Sequence, residues 1–316
     1  MSESVSVNLN ERPPFPEVWD NTMLATGADC TMQMKYKFFH NLRPNVNNIN
    51  LHAGGAFAKG LEVVRMHKFT PGMEHRSPDA PKIFGARALI SAYGDVDPGD
   101  NVKSCDRMLG ALESYLTQYN PDTDHIKPAI INGKPAVEFN FAWPIDVSHP
   151  VTGMPLIYCG RFDLLGHLND DMDSMWVVDE KTTKQLGPTW PKQWTLRSQF
   201  MGYTWGSRKF GYNVKGAIIR GISILKSSYG HAEAMVYFPD WMVDRWYEQA
   251  CARLERYKRM WHGDEPWEYN FASACTQYGG CQFKMLCESP EPSAWVPTYY
   301  KVDKWDPMKL KPEGEE

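Results

Sequence analysis

The sequence predicts an α/β fold in which a mixed sheet is flanked by helices. Three observations carry this prediction: apolar residues at helical spacing before Pro121, short alternating or β-branched runs after it, and a return of helical periodicity before a further pair of strands. Hydrophobic residues make up 42% and aromatic residues 13% of the 316 positions, enough to bury a core. A net charge of -4 excludes a uniformly basic surface, so any nucleic acid would have to bind a local patch. No apolar run reaches the roughly 18 residues a membrane span needs. The polar start Met1-Ser2-Glu3-Ser4 lacks a basic region followed by an apolar one, so the expectation is a soluble cytoplasmic protein with no membrane partner.

The elements follow in order. Pro13, Pro14 and Pro16 mark residues 1–20 as an extended arm. Met23 to Asn41 reads as a helix with Cys30 near its start. Gly55 to Lys68 reads as a second, on the i, i+4, i+7 spacing of Phe57, Leu61 and Val64. Asn101 to Tyr119 is a third, with Met108, Leu112, Tyr115 and Leu116 as its stripe. Val137–Ala142, Tyr158–Leu165 and Trp176–Thr182 read as strands, the last two flanking a polar turn over His167–Ser174. A helix over Lys192–Lys209 precedes a hairpin of Lys215–Leu225 and His231–Phe238, and a long amphipathic helix starts at Asp240. The organisation expected is the arm, one domain over 21–290 and a polar tail over 291–316.

The strands carry chemistry. Side chains alternate along a strand, so Asp179 and Lys181 share a face while Glu180 points to the other. A hairpin centred on Asp171 places Asp163 opposite Asp179, with the carboxylates about 5 Å apart. Such a pair stays ionised only with a cation between its members, and hard oxygen ligands favour Mg²⁺ or Mn²⁺. With a lysine on the same face, these are the parts of a metal-assisted phosphodiester hydrolase. The alternative is a cross-strand surface ion pair of Asp163 with Lys181.

Glu138 lies one element upstream, and Gln199 and Tyr203 stand four apart on a helix, hence on one face. Glu138, Gly160-x-x-Asp163, Asp179-x-Lys181 and Gln199-x-x-x-Tyr203, in this order and spacing, resemble the RecB-like branch of the PD-(D/E)XK nuclease superfamily, from about Thr22 to Cys287. The resemblance implies a restriction-endonuclease-like core with a mixed central sheet. It implies that Asp163 and Asp179 bind the catalytic metal, that Glu138 is an accessory ligand, and that Lys181 orients or activates the attacking water. Gln199 and Tyr203 would position DNA or brace the lysine. One departure stands out, because many members carry a histidine on the first core helix where this chain has Ala58 in Gly54-Gly-Ala-Phe-Ala58-Lys-Gly-Leu-Glu62. His52 or Glu62 is the substitute the sequence offers.

Seven cysteines without an export signal argue against a disulfide framework. Cys275, Cys281 and Cys287 are evenly spaced in a turn-rich segment containing Gly279 and Gly280, and three thiolates need a fourth for a tetrahedral site or a cubane. Cys30 is the candidate, and it resembles the N-terminal cluster cysteine of iron-sulfur members of the branch, such as the AddB nuclease domain and the CRISPR-adaptation exonucleases. The resemblance implies a structural [4Fe-4S] cluster joining the N- and C-terminal parts, with zinc as the alternative. Cys105, Cys159 and Cys251 read as core. Lys184, Arg197 and Tyr203, among interleaved tryptophans, are candidate DNA contacts.

The function expected is a Mg²⁺- or Mn²⁺-dependent DNA exonuclease in recombination, repair or phage DNA metabolism. It would act on linear duplex ends or single strands in the cytoplasm of a bacterium or an infected host. No helicase P-loop occurs, so unwinding would need a helicase or strand-annealing partner. The alternatives are a structure-specific endonuclease, a non-catalytic iron-sulfur DNA-binding subunit and a zinc-stapled binding module. The sequence leaves the oligomeric state open.

Overall fold

The computed structural model describes residues 7–46, 48–73, 77–276 and 280–308; Gly279 of the cysteine-rich turn lies outside them. Strand β1 (Val18–Trp19) leads into α1 (Asn21–Asp29), which ends at Cys30. The extended backbone of Cys30 breaks the single helix expected over Met23–Asn41, and its Sγ accepts the Gln33 N–H to cap α2 (Thr31–Met34), which continues as a π-helical turn over Lys35–Phe39. Hydrophobic periodicity cannot reveal such a break, because the stripe is in phase on both sides of the cap. After β2 (Leu42–Pro44), α3 (Ile49–Phe69) starts well before Gly55 because Asn48 caps it.

Helix α4 (Ala80–Tyr93) has no counterpart in the sequence reading. Its buried side is Pro81, Gly85, Leu89 and Tyr93, while Ile83 and Ile90 are exposed, so apolar spacing does not mark the packed face. Gly85 is required there, since a Cβ on it would come within 2.7 Å of the Gly60 carbonyl oxygen where α4 crosses α3. Helix α5 (Cys105–Gln118) is capped by Ser104 and buries the expected stripe.

The strands follow as β3 (Ile126–Pro128), β4 (Ile130–Ile131), β5 (Lys134–Pro135), β6 (Val137–Ser148), β7 (Pro155–Leu168) and β8 (Asp171–Thr183). Strand β6 runs past Ala142 and through Pro144. A missing N–H is tolerated on a strand that pairs only with β7 among the described residues. The turn between β7 and β8 is just Asn169-Asp170, so most of the polar stretch His167–Ser174 is strand, with a register shift between Gly166 and Leu168. A 3-10 turn over Pro191–Trp194 precedes α6 (Ser198–Arg208), replacing the single helix expected over Lys192–Lys209. Strands β9 (Val214–Ile224) and β10 (Tyr229–Tyr237) form the expected hairpin, and α7 (Asp240–His262) the expected long helix.

The chain forms two compact units, with β6, β7 and α7 each running from one into the other. Of the described residues, one contains those before Asn48, Ala142–Gly160 and those from Asp244 to Met308. In it β1 pairs in parallel with Ile157 and Tyr158 of β7, and Tyr300–Val302 (β11) pairs antiparallel with β2. Leu9 and Phe15 are buried, as are Val296 and Tyr300, so the segments expected as an extended arm and a polar tail supply core residues.

The other unit, Asn48–Phe141 and Arg161–Val243, holds a mixed sheet. The second half of β7 pairs antiparallel with β3 and β8, β8 pairs in parallel with β9, and β9 antiparallel with β10. Helices α3, α4 and α5 cover it through Phe57, Leu61, Leu89 and Leu112 against Ile222 and Ile224 of β9. Each such side chain contributes about 1.5–3 kcal/mol by burial. Helix α6, the crossover between the parallel strands β8 and β9, packs on both.

Candidate active site and cysteine cluster

The β7–β8 ladder positions the acidic residues. Leu164 pairs with Val178 and Leu165 with Val177, the register that sets Asp163 across from Asp179. That register matches the sequence reading although Asp171 is not the centre of the turn; the irregular stretch of β8 after Asp171 takes up the difference. Past Leu164 the cross-strand partner of β8 is a side chain: Asp163 Oδ2 accepts the Glu180 backbone N–H at 2.8 Å. Strand β8 meanwhile stays paired with β9 as far as Thr183. Asp163 is thereby fixed where the ladder ends.

Asp179 is 4% exposed and its Oδ1 contacts Lys181 Nζ as an ion pair. Burial, then the charges of Asp179, Glu180 and Glu138, push the Asp163 carboxyl well above the ordinary carboxylate range. Burial also raises Asp179 although Lys181 opposes it. For Lys181 burial acts to lower the pKa, but Asp179 and Asp163 outweigh it and hold the ammonium above its ordinary value. The acids therefore outnumber the cation among them, an imbalance that a divalent cation would relieve. Carboxylate oxygens are the ligand type of Mg²⁺ or Mn²⁺, which commonly take few protein ligands and complete their shell with water and phosphate oxygens. Among the described residues, no three His, Cys, Asp or Glu side chains already converge on one ion.

The other expected residues fall into place unequally. Glu138, in the left-handed region at φ 50°, pairs with Arg161 at 3.0 Å and adds negative charge near Asp163. Gln199 Nε2 donates to Tyr203 Oη at 3.0 Å along α6. The Tyr203 ring packs on Phe162 at 5.2 Å, beside Asp163, and Lys181 Nζ lies 5.9 Å from the centre of the Phe200 ring. His52 is not brought to the carboxylates: its Nε2 meets the Tyr93 carbonyl at 2.7 Å. Glu62 pairs with Lys59. Lys184 and Arg197 are exposed.

The sequence reading passed over a buried network behind β8. Glu180 points away from Asp179 and Lys181, as alternation requires, and is held by both Arg65 Nη atoms, at 2.5 and 3.1 Å, and by Tyr115 Oη at 2.7 Å. Burial acts to raise the Glu180 carboxyl, but Arg65 and these hydrogen bonds outweigh it and bring it down to about 2. Tyr115 Oη also accepts from Arg220, which is 1% exposed and grips Asp124 through two nitrogens at 2.6 and 2.7 Å and Glu233 at 2.8 Å. A legible signal existed, since Arg65 follows Leu61 and Val64 on an apolar stripe and Arg220 interrupts the run Ala217-Ile-Ile-Arg-Gly-Ile-Ser-Ile224. A charge inside such a run needs a buried partner.

The four cysteines expected as a cluster, Cys30, Cys275, Cys281 and Cys287, line one cavity of about 250 Å³ in the other unit, together with Tyr269 and Phe283. Cys281 N–H donates to the Cys275 carbonyl at 3.0 Å, and Gly280 between them takes φ 102°, which glycine alone adopts at little cost. Burial, then the other three thiols, pushes the Cys287 thiol up to about 12. All four line the cavity, although no three of them converge on one metal-ion position; a metal centre would take them as thiolates. Cys159 is buried, as expected of core, while Cys105 and Cys251 are half-buried; all seven are free thiols.

No family model matches the chain. No curated protein matches it either. Among solved structures it is similar to a protein from Eubacterium rectale bearing an exonuclease assignment that its own name marks as provisional, with a TM-score of 0.34 and 9% identity over 75% of this chain and 94% of that one. It is also similar to SSO0001, with a TM-score of 0.26 and 15% identity over 65% of this chain and 85% of the other. Likenesses at that level carry no argument about chemistry. No helix among the described residues is long and apolar enough to cross a membrane.

Proposed function

We propose that the chain is a Mg²⁺- or Mn²⁺-dependent DNA exonuclease of the RecB-like PD-(D/E)XK type. The observation that carries this reading is Asp163, fixed on the Glu180 N–H across from Asp179, with Lys181 on the Asp179 carboxylate. In it Asp163 and Asp179, with Glu138 as an accessory group, would hold the cation, which when bound supplies Lewis acidity toward the phosphodiester. In the hydrolysis, water adds to phosphorus, one P–O bond to deoxyribose breaks, and a proton passes to the leaving oxygen. Lys181 holds its ammonium against the charge that develops on the phosphate oxygens. Gln199 and Tyr203, joined by their hydrogen bond, orient the strand or brace Lys181, and exposed Lys184 and Arg197 meet its phosphates.

In this reading Cys30, Cys275, Cys281 and Cys287, which line one cavity, would hold a structural [4Fe-4S] cluster, with zinc as the alternative. Protein purified without oxygen is then expected to be brown, with broad visible absorption that Cys281→Ala abolishes; a colourless protein carrying stoichiometric zinc would replace the cluster with zinc. Helicases and strand-annealing proteins are the partners this reading favours. Ala58, at the position of the family's helix histidine, is the observation that favours a second reading, a non-catalytic DNA-binding subunit.

The test compares end-labelled linear duplex, single-stranded and closed circular DNA in Mg²⁺ or Mn²⁺. Loss of linear substrates with circles spared is the expected result. Cut circles would make the protein an endonuclease, and binding without cleavage would favour the subunit.

A further inference from the structure

Lys103 poses a physical problem that the active site does not absorb. Its residue is 4% exposed, yet no carboxylate lies within 4 Å of its ammonium among the described residues. The ammonium donates instead to Thr182 Oγ1 at 2.9 Å, one residue past Lys181 on β8. Burial, and then the charge of Lys184, lowers its pKa, so a second cation lies close enough to repel it. A buried charge without a counter-charge costs stability, and chains keep such groups where a ligand supplies the missing charge.

The surroundings suit an anion. Because Lys103 Nζ donates to Thr182 Oγ1, the hydroxyl keeps its own proton for a further acceptor. On α3, Gly54 stands with its Cα hydrogens toward Thr182, where a Cβ would sit 3.5 Å from Oγ1, and Gly54, Gly55 and Ala58 are all partly exposed. Small side chains therefore leave room at the end of β8. Next to it a cavity of about 450 Å³ at the carboxyl ends of the parallel strands β8 and β9 is lined by Lys184, Lys226 and Leu225, with Asp100 as its one acid.

We propose that Thr182, backed by Lys103 and flanked by Lys184, is a phosphate subsite at the carboxyl end of β8, on the face turned away from Asp179 and Lys181, which takes a phosphate of bound DNA other than the one cleaved. The inference rests on the nuclease reading for the identity of the ligand. In it Thr182 touches the phosphate, and Lys103 is a positioning residue that polarises the hydroxyl and supplies the charge.

The test measures binding of a short duplex oligonucleotide, in Ca²⁺ to suppress cleavage, across a salt series. The variants are Lys103→Met and Thr182→Val, with Lys82→Met, an exposed lysine of α4, as a control outside the subsite. Lys103→Met is expected to weaken binding about tenfold and to reduce the slope of log K against log salt by about 1. It is also expected to melt no lower than the parent, since it removes an uncompensated buried cation; a purely structural lysine would lower the melting temperature instead. Thr182→Val is expected to weaken binding several-fold, and its near-isosteric side chain keeps the test valid if Lys103→Met fails to fold. Parent-like affinity and salt slope in folded Lys103→Met or in Thr182→Val would overturn the subsite. A parent that binds DNA but never cleaves it would overturn the nuclease reading and leave this result standing.

Discussion

Lys181→Met is expected to cut DNA hydrolysis by about 10²–10³-fold while leaving the fold and DNA binding in place. The lysine lies at the Asp179 carboxylate, and Phe200 packs beside its ammonium. Methionine keeps the alkyl chain and removes the charge, so packing persists and the interaction with the developing negative charge is lost. Single-turnover rates in saturating Mg²⁺ measure this directly, and they should fall with little change in the concentration of DNA that half-saturates the enzyme. A rate within about threefold of the parent would remove Lys181 from the mechanism. Arginine is not a conservative replacement there, because its planar fork cannot occupy the position of a compact ammonium.

Arg65→Met is expected to be the most destabilising single change at the site, by about 3–5 kcal/mol, because it leaves Glu180 charged and buried without its partner. The side chains of the pair are 7% and 3% exposed, so solvent screening does not reduce the figure much. Glu180 titrates at about 2 in the folded chain against an ordinary 4.5. A depressed folded value means that the stabilisation is fully present above about 4.5 and is lost as pH falls toward 2. The two values correspond to about 3 kcal/mol, in line with the cost of breaking the pair. Denaturant unfolding of parent and Arg65→Met at pH 7 and pH 3 tests this: the gap between them should narrow at the lower pH. An equal gap at both would mean that Arg65 acts through packing alone.

Much of this arrangement is legible in the chain, and the exceptions have physical causes. The 163-to-179 register agrees with the spacing only because a shift between Gly166 and Leu168 offsets a turn that lies at Asn169-Asp170 rather than at Asp171, an irregularity that spacing does not record. The Gln199–Tyr203 pair follows from helical geometry alone. Helix α4 was hidden because it packs through Gly85 against Gly60, a contact that apolar spacing does not record. Trp19, Leu9 and Tyr300 read as parts of an arm and a tail because their partners are distant in sequence. Lys103 was invisible for another reason: nothing local says that a lysine in Asn101-Val-Lys-Ser104 reaches Thr182. Arg65 and Arg220 were legible as anomalies, and strand alternation then predicts that Glu180 faces away from Asp179 and Lys181 to meet one of them.

The central claim is that Asp163 and Asp179 make a divalent-cation site for DNA hydrolysis. The most direct measurement follows end-labelled linear duplex with the parent protein and with Asp163→Asn, each with Mg²⁺ and with excess chelator, alongside a calorimetric titration of Mn²⁺ into both proteins. The account predicts cleavage and Mn²⁺ binding by the parent only, with cleavage abolished by the chelator. It also predicts that metal-free Asp163→Asn melts at or above the parent temperature at neutral pH, because a carboxyl whose folded pKa is raised destabilises the fold once pH exceeds the ordinary carboxylate range. Cleavage that survives Asp163→Asn or the chelator would contradict it.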